Sequence, residues 1–187
     1  MTPIEFQPLK KAFERNNWQW DENELVYANI SVKNKNDLFL YNYNDCQVCP
    51  RNHPTLLKCR GLVVRTDGTI LHFPFERFFN DFEEEHAEID WNTARVQEKV
   101  DGSMIGCFWN GRDWEITTRG SFYPNPKSDI DFAVLFKKHF KNFDALNKDY
   151  CFFFELITAK NRIVTLYPFE AIYLLGMRDL KTLKEIP

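Results

Sequence analysis

The stretch Gly61–Phe73, GLVVRTDGTILHF, decides the expected fold. Two short apolar runs, 61–66 and 69–73, flank the dipeptide Asp67-Gly68. This dipeptide accepts the positive φ angles of a type I′ turn, which is a preferred connection between hairpin strands. The stretch therefore predicts a β-hairpin with antiparallel strands.

Similar apolar runs and turn signals continue on both sides of this hairpin. Asn110-Gly111 predicts a second hairpin, between strands at 104–109 and 113–118. Further strands are predicted at 25–33, 38–43, 95–99, 151–157 and 170–176. The sequence therefore predicts sheet as the dominant structure.

Helix signals are fewer. Thr2-Pro3-Ile4-Glu5 has the form of a capping box with proline at the first helical position, and it predicts a helix over 3–15. Residues 128–141 predict a second helix with Ser128 as N-cap. Residues 44–58 are expected to form a loop, and the acidic residues 81–88 to be solvated. We therefore expect one α+β domain over residues 1–187, mainly antiparallel sheet with a few helices.

Composition narrows the class of protein. Apolar residues make up 44% of the 187 residues, and 18 of them are phenylalanine, so a packed interior is expected rather than disorder. The net charge of -3 provides no global basic field, so a polyanion would need a local basic cluster. Since no run of 18 apolar residues and no signal pattern is present, we expect no membrane span and a cytoplasmic location.

The number of cysteines, five, is odd, and in a cytosolic chain of this size we expect reduced thiols rather than a disulfide framework. One group could bind metal. Cys46, Cys49, His53 and Cys59 lie within 14 residues and offer four ligands that suit zinc. Only one Cys-x-x-Cys pair is present, so an ordinary surface loop is the alternative.

A second stretch carries the candidate chemistry: Gln97–Ser103 has the sequence QEKVDGS. A lysine at a strand end, followed by a turn containing Asp101-Gly102, can direct its amine into a cleft. On its own such a pattern is typical of a solvated surface turn. Lys99 is therefore a candidate nucleophile only in combination with other elements.

Such elements are present in a fixed order along the chain. They are Tyr41-Asn42-Tyr43, Cys59-Arg60-Gly61, Phe75–Asn80, Thr118–Ser121, and Phe154–Ile157 with Asn161–Val164. Together with Lys99-Val100-Asp101-Gly102-Ser103 they resemble the T4 RNA ligase 1-like family of covalent nucleotidyltransferases. The resemblance extends over most of the chain, from about residue 38 to about residue 178.

The resemblance implies an adenylylation domain of an ATP-dependent RNA ligase that acts in RNA repair. Lys99 would attack the α-phosphorus of ATP, release pyrophosphate and become lysyl-AMP. AMP would pass to an RNA 5′-phosphate, and a 3′-hydroxyl would then attack that activated end. ATP and Mg²⁺ are the implied cofactors.

The resemblance also implies roles for individual residues. Arg60, Arg77 and Arg119 would hold the triphosphate, although Arg77 and Arg119 stand where family members carry lysine. The same cations, together with desolvation, could lower the lysine pKa from its usual 10.4 or so. Each arginine could instead be an ordinary surface ion-pair partner.

Three more residues have implied roles. Gly102 would let the backbone approach the nucleotide. Glu155 would bind the ribose, orient an arginine or bind water around Mg²⁺, and it is the candidate metal residue. Because Glu155 follows three phenylalanines, it needs a partner or an outward-facing position. Tyr41 would contact the nucleotide or a phosphate, or lie in the core.

The family pattern continues with an E-G-x-V strand and a basic K-x-K strand, and neither is found before Pro187. The sequence therefore leaves several interpretations open. The chain could be half of a split ligase completed by a second chain, a truncated product, or a nucleotide- or RNA-binding module without catalysis. A DNA ligase or an mRNA capping enzyme is a further alternative, disfavoured by the Arg60-Gly61, E-R-F-F-N and N-R-I-V elements.

Overall fold

The structure of the protein, a computed structural model, describes residues 1–44, 49–125 and 129–186. Two antiparallel sheets dominate it. The first has four strands in the order β1-β2-β3-β4. Its strands are β1 (Ile30–Lys35), β2 (Leu38–Tyr43), β3 (Arg60–Arg65) and β4 (Ile70–His72).

The second sheet has five strands in the order β6-β5-β7-β8-β9. They are β5 (Ser103–Trp109), β6 (Trp114–Thr118), β7 (Tyr150–Ile157), β8 (Ala171–Asp179) and β9 (Glu185–Ile186). Both predicted hairpins are present, as β3–β4 and β5–β6. The prediction of a mainly antiparallel α+β fold is therefore confirmed.

Four α-helices accompany the sheets in the described residues. They are α1 (Gln7–Arg15), α2 (Glu24–Ala28), α3 (Pro54–Lys58) and α4 (Phe132–His139), with short 3₁₀ turns at Ile4–Phe6, Phe143–Ala145 and Ala159–Asn161. None of the described helices is both long and apolar enough to cross a membrane.

The core has three apolar layers, and successive residues of one strand belong to different layers. On β3, Leu62 and Val64 join the apolar cluster beneath α1, whereas Val63 faces the other way. Val63 and Phe108 belong to the cluster between the two sheets, and Cys107 to the cluster beneath α4. Because successive strand residues point to opposite faces, β3 and β5 are buried on both sides. The order of layers is helix, sheet, sheet, helix.

The turn of the first hairpin differs from the prediction. Of its two central residues only Gly68 has a positive φ, 92°, so the turn is not type I′. The Gly68 N–H donates to the Arg65 carbonyl, and the Arg65 N–H donates to the Thr69 carbonyl, each at 2.8 Å. This is the three-residue loop in which a glycine in the left-handed region closes a turn.

The predicted strand at 25–33 is wrong in its first half. Residues 24–28 form α2, because the side chain of Asn23 accepts the N–H of Leu25 at 3.0 Å and caps the helix. The loop predicted at 44–58 likewise ends in a helix, α3, whose N-cap is His53.

The predicted strand at 95–99 is also wrong. Residues 95–102 are neither helix nor strand, and residues 95–99 are exposed. A strand needs a neighbour to bond its backbone, and regular pairing starts only at Ser103, opposite Leu156.

The first and last helices, α1 and α4, begin at other residues than the sequence predicted. The helix predicted at 3–15 forms, but Thr2 donates its hydroxyl to Glu22 instead of capping it, and Ile4 is 85% exposed. The predicted cap Ser128 lies outside the described residues. The second helix begins at Phe132, and the side chain of Asp131 accepts the N–H groups of Ala133 and Val134.

Candidate active site

An open cleft of about 880 Å³ lies where β3 and β5 begin and where β6 and β7 end. The cleft brings together residues that are far apart in the sequence. Its lining includes five of the seven predicted site residues: Arg60, Lys99, Gly102, Arg119 and Glu155. Phe75, Phe78, Ile163 and Leu175 add apolar wall.

Lys99 enters this cleft from the irregular segment that precedes β5 and is exposed there. Its electrostatic neighbours include the carboxylates of Asp101 and Glu155. The Lys99 amine is therefore open to a ligand and close to two acidic groups.

Asp101 fixes the loop after β7 against the lysine motif. Its Oδ2 accepts the backbone N–H groups of Val164, at 2.8 Å, and Thr165, at 2.6 Å. These two hydrogen bonds hold the pKa of the Asp101 carboxyl below its usual value. The backbone N–H of Asp101 itself donates to the hydroxyl of Tyr167 at 3.0 Å. The N-R-I-V segment is thus attached directly to the K-x-D-G motif.

Asn161 closes the turn that leads into that loop. Its Oδ1 accepts the backbone N–H of Thr158 at 3.0 Å, and its Nδ2 donates to the carbonyl of Leu156 at 3.2 Å. The N-R-I-V motif therefore begins with a structural residue.

Glu155 of β7 has the hydrogen-bond partner that its position after three phenylalanines led us to expect. Its Oε1 accepts the backbone N–H of Gly102 at 2.9 Å. Partial burial raises the pKa of the Glu155 carboxyl, and the Gly102 hydrogen bond and the charges of Lys99 and Arg60 oppose that rise. The carboxylate has a partner and also faces the cleft.

Gly102 is required by its protein neighbours. A Cβ at this position would overlap the carbonyl oxygen of Leu156 and lie 3.3 Å from the Cγ of Glu155. The structure shows a close approach of Gly102 to β7, and the approach to a nucleotide stays a prediction. A glycine here lets the lysine motif lie directly on that strand.

Arg60 and Arg119 add positive charge to the cleft beside that of Lys99. Arg60 opens β3 and is half-buried; desolvation lowers its pKa, while Tyr43 and Glu155 oppose that effect. Arg119 is exposed in the turn after β6, where Thr118 bonds Ser121. Neither arginine forms an ion pair with a carboxylate among the described residues.

Arg77 lies beside the cleft lining and is buried, at 7% exposure. Its guanidinium carbon is 4.1 Å from the centre of the Tyr43 ring and 5.3 Å from that of Phe79. Arg119 lies over the same Tyr43 ring at 5.4 Å. All three predicted arginines thus converge on Tyr43.

Tyr41 lies in the core, the alternative that its sequence position left open. Its side chain is fully buried, and its hydroxyl donates to the carbonyl of Glu5 at 2.7 Å. Sequence reasoning chose Tyr41 and missed Tyr43, two residues later on the same face of β2. The available signal was that Tyr43 is the last residue of the strand, nearest the edge where the other site residues gather.

The possible zinc ligands do not form a set in the described part of the chain. Cys46 lies outside it, and Cys59 is fully buried in the core. His53 accepts the Thr55 N–H at Nδ1 and donates from Nε2 to Asp21 at 3.0 Å. No group of three or more His, Cys, Asp or Glu side chains there is arranged to hold a metal ion.

Mg²⁺ needs fewer protein ligands than a structural zinc ion does. It usually keeps water ligands and binds through one or two carboxylates together with substrate phosphates. Glu155 is a carboxylate in the cleft, close to Arg60. The donor set fits an ion shared with a bound triphosphate and does not fit one held by protein alone.

Comparison of the sequence with known proteins relates the chain to RNA ligases. The model of a family described as RNA ligase, of the T4 type 1 group, matches residues 58–186. A protein of Autographa californica nuclear polyhedrosis virus, named as a bifunctional polynucleotide kinase/RNA ligase, is 29% identical over 181 residues, covering 82% of this chain and 26% of its own. An RNA ligase of Rhodothermus phage RM378 is 28% identical over 193 residues, covering 81% of this chain and 43% of its own. The chain thus spans less than half the length of these relatives.

Proposed function

Because the chain belongs to the T4 RNA ligase 1-like family of RNA ligases, we propose that it is the adenylylation part of an ATP-dependent RNA ligase that acts in RNA repair. The observation that carries this proposal is the position of Lys99, Arg60, Arg119 and Glu155 around one cleft. The substrates are ATP and RNA ends with a 5′-phosphate and a 3′-hydroxyl.

Lys99 is the nucleophile in this proposal. Its neutral amine forms a P–N bond to the α-phosphorus of ATP, the bond to pyrophosphate breaks, and the amine loses a proton. A deprotonated lysine is scarce at neutral pH because its usual pKa is about 10.4. Glu155 and Asp101 are the carboxylates whose pKa Lys99 affects, and either could receive that proton through water.

Arg60 and Arg119 bind the β- and γ-phosphates and stabilise the charge on the leaving pyrophosphate. Glu155 would hold Mg²⁺ together with those phosphates, and the ion would neutralise part of the same charge. In the later steps AMP is transferred to the RNA 5′-phosphate, and the 3′-hydroxyl displaces it as the phosphodiester bond forms. Burial of Arg60 strengthens its interaction with phosphate, since water competes less there.

Covalent labelling tests this function. The purified chain is incubated with α-labelled ATP and Mg²⁺ and then separated on a denaturing gel. We expect label with ATP, no label with GTP, and no label in Lys99→Ala or Lys99→Arg. Lys160→Ala, which removes an exposed lysine outside the cleft lining, is the matched control and keeps the label.

Three outcomes contradict the proposal. Label that survives in Lys99→Ala would place the nucleophile elsewhere. Label from GTP would indicate capping chemistry. No label from the wild-type chain with either nucleotide would indicate a binding module without turnover.

A further inference from the structure

Tyr43 lies beside all three arginines of this region. Arg77 lies over its ring at 4.1 Å and Arg119 at 5.4 Å. The Tyr43 hydroxyl also lies near Arg60 and opposes the lowering of the pKa of that guanidinium. Tyr43 is half-buried at the end of β2, and its backbone N–H bonds the carbonyl of Cys59 at 2.6 Å.

The three arginines come from different parts of the fold. Arg60 opens β3 of the first sheet, Arg77 lies in the connection after β4, and Arg119 lies in the turn after β6 of the second sheet. Arg119 acts on Arg60 as a nearby like charge, and the partial burial of Arg60 makes that repulsion more costly. A ring whose face attracts cations and whose hydroxyl can accept a hydrogen bond offsets this repulsion.

Gly61 lets the second sheet reach this position. A Cβ at Gly61 would lie 3.3 Å from the Cα and from the carbonyl oxygen of Arg119, tighter than ordinary packing. The Arg119 turn therefore lies directly on the first residues of β3. The contact between Tyr43 and Arg119 thus bridges the two sheets at the cleft.

From this convergence we infer that Tyr43 is a positioning residue that holds Arg60, Arg77 and Arg119 together as one binding site for the β- and γ-phosphates of ATP. The inference rests on the proposed function and adds a residue to it. Tyr43 acts through the arginines, so its loss affects ligands with a polyphosphate and spares those without one. AMP carries only the α-phosphate and provides the comparison.

The test uses nucleotide binding to the Lys99→Ala protein, in which no covalent step can occur. Isothermal titration with ATP and with AMP gives two affinities for each variant. Tyr43→Leu removes the ring, and Tyr43→Phe removes only the hydroxyl. Phe39→Leu is the matched control, because Phe39 lies on the same face of β2 and no described arginine lies over its ring.

We expect Tyr43→Leu to weaken ATP binding about tenfold and AMP binding less than about twofold. Tyr43→Phe retains the ring and weakens ATP binding about threefold. Phe39→Leu changes the ratio of the two affinities little. Equal loss of ATP and AMP affinity in Tyr43→Leu, or no loss of either, would overturn the inference, and thermal unfolding checks that each variant is folded.

Inorganic tripolyphosphate separates this inference from the proposed function. If the protein binds tripolyphosphate and Tyr43→Leu weakens that binding, the arginine site stands even where no lysyl-AMP forms. If the protein binds ATP and tripolyphosphate and Tyr43→Leu changes neither, the positioning role fails while the proposed function stands. Failure to bind either ligand would overturn both.

Discussion

Glu155 accepts the backbone N–H of Gly102 at 2.9 Å, so the carboxylate of β7 is tied to the residue three positions after Lys99. One side chain thereby serves two purposes. It supports the backbone of the lysine motif, and it places a negative charge in the cleft. Substitutions at and around this pair can separate the structural part from the chemical part.

Glu155→Gln and Glu155→Ala make that separation. Glutamine keeps an acceptor for the Gly102 N–H, whereas alanine leaves that donor without a partner at a cost of about 1 kcal/mol. We expect the glutamine variant to be as stable as the wild type at pH 7 and the alanine variant to be less stable in urea unfolding. Both should form lysyl-AMP about a hundredfold more slowly. If Glu155→Gln formed lysyl-AMP at the wild-type rate, the negative charge of Glu155 would not be needed for that step.

The pH dependence of this pair has a definite sign. Burial raises the pKa of the Glu155 carboxyl in the folded state. The folded protein then retains this proton to higher pH than the unfolded chain does, so the contribution of Glu155 to stability falls as pH rises above about 4.5. Glu155→Gln removes this fall, which unfolding curves between pH 4 and pH 7 can measure.

Gly102→Ala tests the packing of the motif on β7. The added methyl group would overlap the Leu156 carbonyl oxygen, so we expect a loss of about 2 kcal/mol in the free energy of unfolding. Gly120→Ala is the control, because a Cβ there meets no atom within 4 Å. Similar stability of the two variants would show that the motif can move away from β7 at little cost.

Asp101→Ala should release the loop that follows β7. The Asp101 carboxylate is the acceptor for the N–H groups of Val164 and Thr165. We expect these two amides to lose protection from hydrogen exchange, measured by mass spectrometry or NMR. Asp113→Ala, which removes an exposed carboxylate from the Asn110–Asp113 turn, should leave them unchanged. Protection that persists in Asp101→Ala would mean that other contacts hold the loop.

His72 is expected to cause part of the loss of folding stability at low pH. It is fully buried, its Nδ1 donates to the Gly61 carbonyl at 2.9 Å, and burial lowers its pKa to about 4. The unfolded chain binds this proton from about pH 6.5 downward, so stability is lost as pH falls from 6.5 to 4. Between pH 7 and pH 5 the loss amounts to about 2 kcal/mol.

His72→Asn keeps a donor near the position of Nδ1 and has no titrating ring. Its stability relative to the wild type should therefore improve by about 2 kcal/mol when urea unfolding is repeated at pH 5 instead of pH 7. A constant difference between the two proteins across this range would mean that His72 titrates in the folded state as it does in the unfolded chain.

The pattern of apolar residues along the sequence predicted most strands of the two sheets correctly and the segments between them less well. Strands such as 38–43 and 151–157 carry long apolar runs whose burial outweighs other preferences, and the structure confirms them. The segment 25–28 has strand-like composition, yet the cap at Asn23 and the burial of Val26 and Tyr27 make it helical. Residues 95–99 resemble a strand but lack a neighbouring strand to pair with.

The sequence by itself determined the antiparallel α+β class and the RNA ligase family, and five of its seven predicted site residues line the cleft. Those features depend on short-range patterns and on motif order, both of which can be read along one chain. Only the tertiary structure placed Tyr41 in the core and Tyr43 beneath the arginines, and turned Gly102 toward Leu156. These contacts join residues far apart in sequence across two sheets, and their geometry depends on how the layers pack.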